Sequence, residues 1–148
     1  MKIRQIAPED IPRLADLYVA VFAGPPWNEV WERQWAVDRL DTICAFPGFS
    51  GLVAEDGETP VAAAVGRILP FKGRDEFDLI DFWVDEASQG QGIGTALLSV
   101  LETHLRSKGC VFCTLMTARE TPAERFYSKQ GYRASQRMIF MTKRLVAD

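Results

Sequence analysis

Between residues 11 and 22 the apolar side chains fall at Ile11, Leu14, Leu17, Tyr18, Val21 and Phe22, the spacing of one helix face. Pro8 and Asp10 suit the turn that opens such a helix, and residues 2–6 ahead of it read as a short strand. Gly24-Pro25-Pro26 breaks the pattern. Asn28 is placed to cap a second helix carrying Trp31, Trp35, Val37, Leu40 and Ile43, which ends before Pro47-Gly48.

After Gly48 the pattern changes from helical to β-rich. Residues 49–55 and 60–69 flank Asp56-Gly57-Glu58-Thr59 as the arms of a hairpin, residues 71–76 read as a turn, and 77–84 as a third strand. A loop over 85–91 leads into an amphipathic helix with Ile93, Ala96, Leu97, Val100, Leu101 and Leu105 on one face, closed by Gly109. Residues 110–116 form another strand. Thr121-Pro122-Ala123-Glu124 has the form of a capping box with proline at the first helical position, and the helix it opens stops at Gly131. Residues 132–134 and 138–145 close the chain as strands. This order predicts a mixed α/β fold. Its sheet is mostly antiparallel, with one parallel pair around residues 77–116 and about four flanking helices. With no linker or repeat in view, residues 1–148 read as a single domain.

Composition narrows the function classes. The chain of 148 residues is 47% hydrophobic and 25% charged, ordinary for a soluble globular domain. Its formal charge of −3 argues against nucleic acid as a partner. No apolar run approaches the ~20 residues of a membrane span, and residues 1–6 lack a signal-peptide core, so the expected location is the cytoplasm, with no membrane partner. Cys44, Cys110 and Cys113 make an odd count, against a disulfide framework. The Cys110-x-x-Cys113 pair sits in a strand, where side chains three apart point to opposite faces, and no second ligand pair exists. No metal site is expected.

The most informative stretch runs Val84-Asp-Glu-Ala-Ser-Gln-Gly-Gln-Gly-Ile-Gly-Thr95: a strand, a glycine-rich loop, then a helix. Gly90, Gly92 and Gly94 keep side chains away from the backbone, and a helix start offers unpaired N–H groups and the positive end of the dipole. Together these suit a phosphate or pyrophosphate. A Walker A loop is excluded by the absence of Gly-Lys followed by Ser or Thr. A dinucleotide fingerprint counted from Gly90 would need glycine at position 95, which is Thr95.

Gln89-x-x-Gly92-x-Gly94 resembles the [QR]-x-x-G-x-[GA] signature of the GNAT acetyltransferase superfamily. Downstream, Glu120-x-x-Ala123-x-x-Phe126-Tyr127-x-x-x-Gly131-Tyr132 resembles that family's later motif, with Glu120 where many members carry asparagine. The resemblance implies a GNAT-like fold and acetyl-coenzyme A as cosubstrate, with Gln89, Gly90, Gln91, Gly92, Ile93, Gly94 and Thr95 around its pyrophosphate. It further implies cofactor contacts from Phe82, Trp83, Val84, Glu120, Ala123 and Phe126. A splay or bulge in the strand near Phe82–Val84 would free an amide to polarise the thioester carbonyl. The departure at Glu120 puts the usual asparagine contact in doubt.

Amide formation from a thioester needs a neutral amine, a polarised carbonyl and a stabilised leaving thiolate. An alkylamine of pKa ~10.4 costs roughly 4–5 kcal/mol to deprotonate at pH 7. The resemblance makes Asp81 the candidate base, with substrate anchor or plain strand carboxylate as the other readings; Asp78, Asp85 and Glu86 are weaker candidates. It makes Tyr127 the candidate acid, or the hydrogen-bond donor to sulfur. Trp27, Glu29 and Trp31, between the first two helices, could form an aromatic and acidic cup for a cationic acceptor, or could be core staples. The leading expectation is therefore an acetyl-CoA-dependent N-acetyltransferase acting on a primary amine of a small molecule or peptide, with a homodimer left open. The alternative is a catalytically idle CoA-binding sensor or docking module. The acceptor's identity, transfer to oxygen and a longer acyl chain all stay open.

Overall fold

A computed structural model describes residues 1–147, which group into two compact units, residues 1–116 and the described residues from Thr117 onward. The first unit holds a five-stranded sheet in sequential order: β1 (Lys2–Gln5), β2 (Phe49–Asp56), β3 (Thr59–Phe71), β4 (Arg74–Val84) and β5 (Cys110–Thr114). Pairing is antiparallel from β1 to β4 and parallel between β4 and β5. Its helices are α1 (Ile11–Ala23), α2 (Arg33–Cys44) and α3 (Ile93–Ser107). The second unit carries α4 (Pro122–Lys129). The mixed fold class and the position of the parallel pair agree with the sequence pattern.

Three local expectations are corrected. First, α2 begins at Arg33, not after Asn28. Asn28 adopts φ 50°, the left-handed region that asparagine tolerates, and its N–H bonds back to Gly24 O. Trp31 and Trp35 therefore do not share a helix face. Second, residues 74–76 belong to β4. The β3–β4 turn is only Lys72-Gly73, both with positive φ, the geometry of a two-residue hairpin loop. Third, residues 132–134 and 138–145 form no strand among the described residues. The last strand of the described residues is β5.

The sheet buries both faces. On one, Val53, Ala63, Val65 and Trp83 pack with Ile11, Leu14, Ala15, Tyr18 and Phe22 of α1 and Ala36, Leu40 and Ile43 of α2. The alternate residues Leu52, Ala54, Ala62 and Ala64 face the other way, the side of α3 and its buried Leu97, Leu98, Leu101 and Leu105.

One residue in β4 changes this bookkeeping. Val65 pairs with Asp81 but Gly66 pairs with Leu79, so Ile80 is an extra residue, a bulge. Cross-strand partners share a face. Asp81 and Trp83 therefore lie on the α1–α2 side with Val65 and Ala63, while Leu79 takes the opposite face with Gly66. Gly66 is obligatory here: a Cβ would stand 2.2 Å from Asp78 O and 2.6 Å from the Phe77 ring.

A buried ionic knot fixes the first turn. Arg4 donates to Asp10 (2.7 and 2.8 Å) and to Glu55 (3.1 and 2.6 Å), and Asp10 also accepts Ala7 N–H at 2.7 Å. Two carboxylates that are almost fully buried are thereby both paired, as burial of charge requires.

Candidate active site

The glycine loop follows directly from β4. Asp85 N–H donates to Val61 O at 2.7 Å, so the strand stays on β3 to its end. A single 3-10 turn, Glu86–Ser88, leads to Gly90 and Gly92, with φ 75° and 78°. These angles, not crowding, call for glycine: nothing lies within 4 Å of where either Cβ would stand. Gly92 is the N-cap of α3 and no side chain caps that helix. The first intrahelical bond is Ala96 N–H to Gly92 O, so the amides of Ile93, Gly94 and Thr95 lie ahead of the helix ladder. Gln89 Nε2 donates to Val84 O (3.1 Å) and Gln91 Nε2 to Ala87 O (3.1 Å), bracing the loop against its own strand and turn. The structure thus brings Gln89–Thr95 into one loop and first helical turn.

Beside this loop β4 runs on past β5. β4 pairs with β5 only over Asp75–Asp78, whereas it pairs with β3 as far as Val84. From Leu79 onward β5 does not pair with it among the described residues. Phe82, Trp83 and Val84 stand in this stretch, past the bulge. Phe82 and Val84 pair with Ala64 and Ala62 and take the α3 side, while Trp83 is buried on the α1–α2 side with its indole N–H unpartnered.

On that α1–α2 side an aromatic and ionic cluster surrounds Asp81. Tyr18 is its hub. The ring packs against Phe22 (centroids 4.4 Å), Trp31 (5.0 Å, edge-on) and Trp83 (5.1 Å, edge-on). Its hydroxyl donates to Asp81 Oδ2 at 3.2 Å. Burial, and next the Asp81 charge, push the Tyr18 hydroxyl well above its ordinary pKa, so it remains a proton donor. Arg39 Nε donates to the same oxygen at 2.7 Å and Arg39 Nη2 to Oδ1 at 3.3 Å. Both oxygens of the candidate base are therefore occupied. Of the expected acceptor residues, Trp31 joins this cluster. Trp27 packs on Phe22 at 6.1 Å, and exposed Glu29 accepts from Trp31 Nε1 at 3.3 Å. Sequence reasoning missed Arg39 altogether and took Tyr18 only for a helix-face residue.

The C-terminal unit carries the second motif. Thr121 caps α4 by accepting Glu124 N–H at 3.3 Å, and Glu124 Oε2 accepts Glu120 N–H at 2.6 Å, so the capping box closes one residue further out than expected. Glu120 has φ 60°. That left-handed conformation is one asparagine adopts more readily than glutamate, a backbone reason for asparagine at this motif position. Tyr127 is buried, its ring edge-on to Phe126 (5.2 Å) and Tyr132 (5.6 Å), and its carbonyl accepts Tyr132 N–H at 3.0 Å. Ala123 lies in the first turn of the same helix.

Among the described residues no group of His, Cys, Asp and Glu is arranged to hold a metal ion, and no helix is long and apolar enough to cross a membrane. Burial pushes the Cys44 thiol up to about 11, away from the range of a reactive thiolate.

Residues 13–132 match the model of the acetyltransferase (GNAT) family, and the chain belongs to that family. Solved structures share the fold. An aminoglycoside acetyltransferase from an uncultured soil metagenomic sample, in complex with sisomicin, is 19% identical with TM-score 0.76, covering 98% of this chain and 96% of that one. An acetyltransferase of Trypanosoma brucei is 22% identical with TM-score 0.70, covering 96% and 99%. A transcriptional regulator of Bacillus halodurans C-125 is 22% identical with TM-score 0.78, covering 96% and 99%. No curated protein matches the chain in sequence.

Proposed function

We propose that this chain is an acetyl-coenzyme A-dependent N-acetyltransferase of the cytoplasm, acting on a primary amine of a small molecule or peptide. The observation that carries the reading is the glycine-capped start of α3 beside the stretch of β4 that β5 does not pair. Gly90 and Gly92 leave open space where side chains would stand, and the N-cap of α3 is a glycine that makes no side-chain cap bond. These features fit a pyrophosphate at Gln89–Thr95 and an extended pantetheine arm along β4. The bound thioester would supply an activated acetyl group.

The chain's own residues have three tasks. Backbone amides of β4 near Phe82–Val84 polarise the acyl oxygen, a donor of a kind worth about 3 kcal/mol in other enzymes. Tyr127, assigned on its motif position alone, hydrogen-bonds the leaving sulfur. Glu120, Ala123 and Phe126, on the same warrant, line the cofactor. Asp81, with both oxygens already accepting, holds Tyr18 and Arg39 in place beside the acceptor; the amine's proton leaves through water.

The test measures thermal unfolding with and without acetyl-coenzyme A, then thiol release from it across a panel of amines. A ligand at 100 times its Kd adds about 2.7 kcal/mol to the folded state. Stabilisation with thiol release supports the enzyme, and stabilisation without release across the whole panel supports an idle CoA-binding module. No stabilisation at millimolar ligand rejects both.

A further inference from the structure

Arg39 is held on α2 as a shaped group. Its Nε and Nη2 form a fork on Asp81, at 2.7 and 3.3 Å, and its Cζ lies 6.0 Å from the centroid of the Trp31 ring. Nη1 takes no part in the fork. The exposures decide which partner meets a ligand first: 39% for the Arg39 side chain and 12% for Asp81. An incoming molecule reaches the guanidinium before the carboxylate.

Hydrogen-bond capacity at Asp81 points the same way. Asp81 is neutralised by Arg39 and already accepts three hydrogen bonds, one from Tyr18 and two from Arg39. Exposed Glu29 accepts the Trp31 indole N–H through Oε1. Around the Asp81 carboxylate the polar groups left over are donors: the outer edge of the guanidinium and the buried Trp83 N–H that has no hydrogen-bond partner among the described residues. A cluster whose spare capacity is donor capacity recognises acceptor oxygens, and a guanidinium held by a carboxylate and flanked by an indole is geometrically pre-set for a second carboxylate.

We propose that Arg39 is a specificity-determining residue that binds a carboxylate on the acceptor, so that the amine acetylated belongs to an amino acid or a peptide with a free carboxyl group. This rests on the acetyltransferase reading and narrows its acceptor. It also replaces the expectation that Asp81 and Glu29 select cations by charge alone. Asp81 is then the positioning residue that sets Arg39's orientation.

The test compares the twenty common amino acids, a set of dipeptides and the carboxamides of both, on wild type, Arg39→Gln and Arg39→Lys. Turnover is read as thiol release from acetyl-coenzyme A, and binding by the fluorescence of the tryptophans, with Trp31 beside the guanidinium. Wild type is expected to favour at least one free acid over its carboxamide by at least about tenfold in kcat/KM. Arg39→Gln should erase that preference, raising KM for the acid at least about tenfold more than for its carboxamide. Arg39→Lys keeps charge but not the fork and should recover only part. Acetyl-coenzyme A should stabilise all three proteins equally. Carboxamides serving as well as acids in wild type, or a preference unchanged in folded Arg39→Gln, overturns the proposal. If acetyl-coenzyme A binds no form, the acetyltransferase reading falls instead. The fluorescence titration then decides this proposal alone: acids must bind wild type more tightly than Arg39→Gln, and equal binding or none overturns it.

Discussion

Tyr18 reaches from the middle of α1 to donate its hydroxyl to Asp81 of β4 at 3.2 Å, and in doing so it fills the space between Trp31 and Trp83 with its ring. The hydrogen bond and the packing can be separated. Tyr18→Phe keeps the ring and removes the donor, so the fold should lose about 1 kcal/mol. Urea unfolding checks this. Unchanged stability would mean the hydroxyl bond is worth nothing net.

Asp10 should give stability a pH dependence of known sign. Arg4 holds its carboxyl at about 2, below the ordinary 3.8, against the opposing pull of burial and with help from the Ala7 amide. Because the folded value lies below the unfolded one, the contribution is complete above the unfolded value. It is lost as pH falls from about 4 towards 2, and amounts to about 2 kcal/mol. Unfolding titrations across this range should slope in wild type and flatten in Asp10→Asn. An equally steep slope in the mutant would assign the effect to other carboxylates.

Gly92→Leu should remove stabilisation by acetyl-coenzyme A while the protein stays folded. The left-handed backbone costs a side chain about 1–2 kcal/mol, and the space around it is open. Gly109→Ala is the control, since it has the same sign of φ, equally open space and no place in the loop. It should cost similar stability and leave the ligand's thermal shift intact. A shift that survives in Gly92→Leu would detach the loop from the cofactor.

Gly66→Ala should be far more damaging than its size suggests. Its Cβ would press on a backbone carbonyl, which cannot step aside as a side-chain tip can. A loss of about 3 kcal/mol is expected, the upper range for overpacking, read as a drop in melting temperature. A loss below about 1 kcal/mol would imply that the bulge relaxes freely.

Tyr127→Phe tests the motif-based acid. If its hydroxyl acts only as sulfur departs, turnover should fall about 10²-fold while affinity for acetyl-coenzyme A hardly changes. Steady-state kinetics beside a binding titration would show it, and turnover within a few-fold of wild type would leave Tyr127 a structural aromatic.

The parts legible in the sequence were those whose cause is local. The glycines at 90 and 92 announce positive φ, Thr121 and Glu124 announce a helix start, and the leucines of α3 announce its buried face. What was missed depends on distant partners. Arg39 looks like any solvent-facing helix charge until Asp81, 42 positions away, is placed beside it. The start of α2 was misplaced because Asn28 has a capping residue's chemistry but turns the chain left-handed, while the true N-cap, Glu32, makes no side-chain cap bond. Lys72-Gly73 lacks the Asn or Asp that flags a two-residue hairpin, so three residues of β4 were taken for a turn. The apolar residues of 138–145 carry strand propensity, but a ladder needs a neighbour that propensity does not name.

Strict alternation would place Phe77, Leu79, Asp81 and Trp83 side by side. The extra residue at Ile80 shifts the phase of the strand by half a period, so one strand serves two cores in turn: first the α3 side, then the α1–α2 side. The side of the sheet on which Asp81 meets Tyr18 and Arg39 is therefore set by Ile80 standing outside the ladder, not by the chemistry of Asp81 itself. The carboxylate would cross the sheet if Ile80 were taken into the ladder opposite Val65, which would set Asp81 beside Ala64 on the α3 side. Excising Ile80 instead would leave a regular ladder with Asp81 still opposite Val65, on the side of Tyr18 and Arg39.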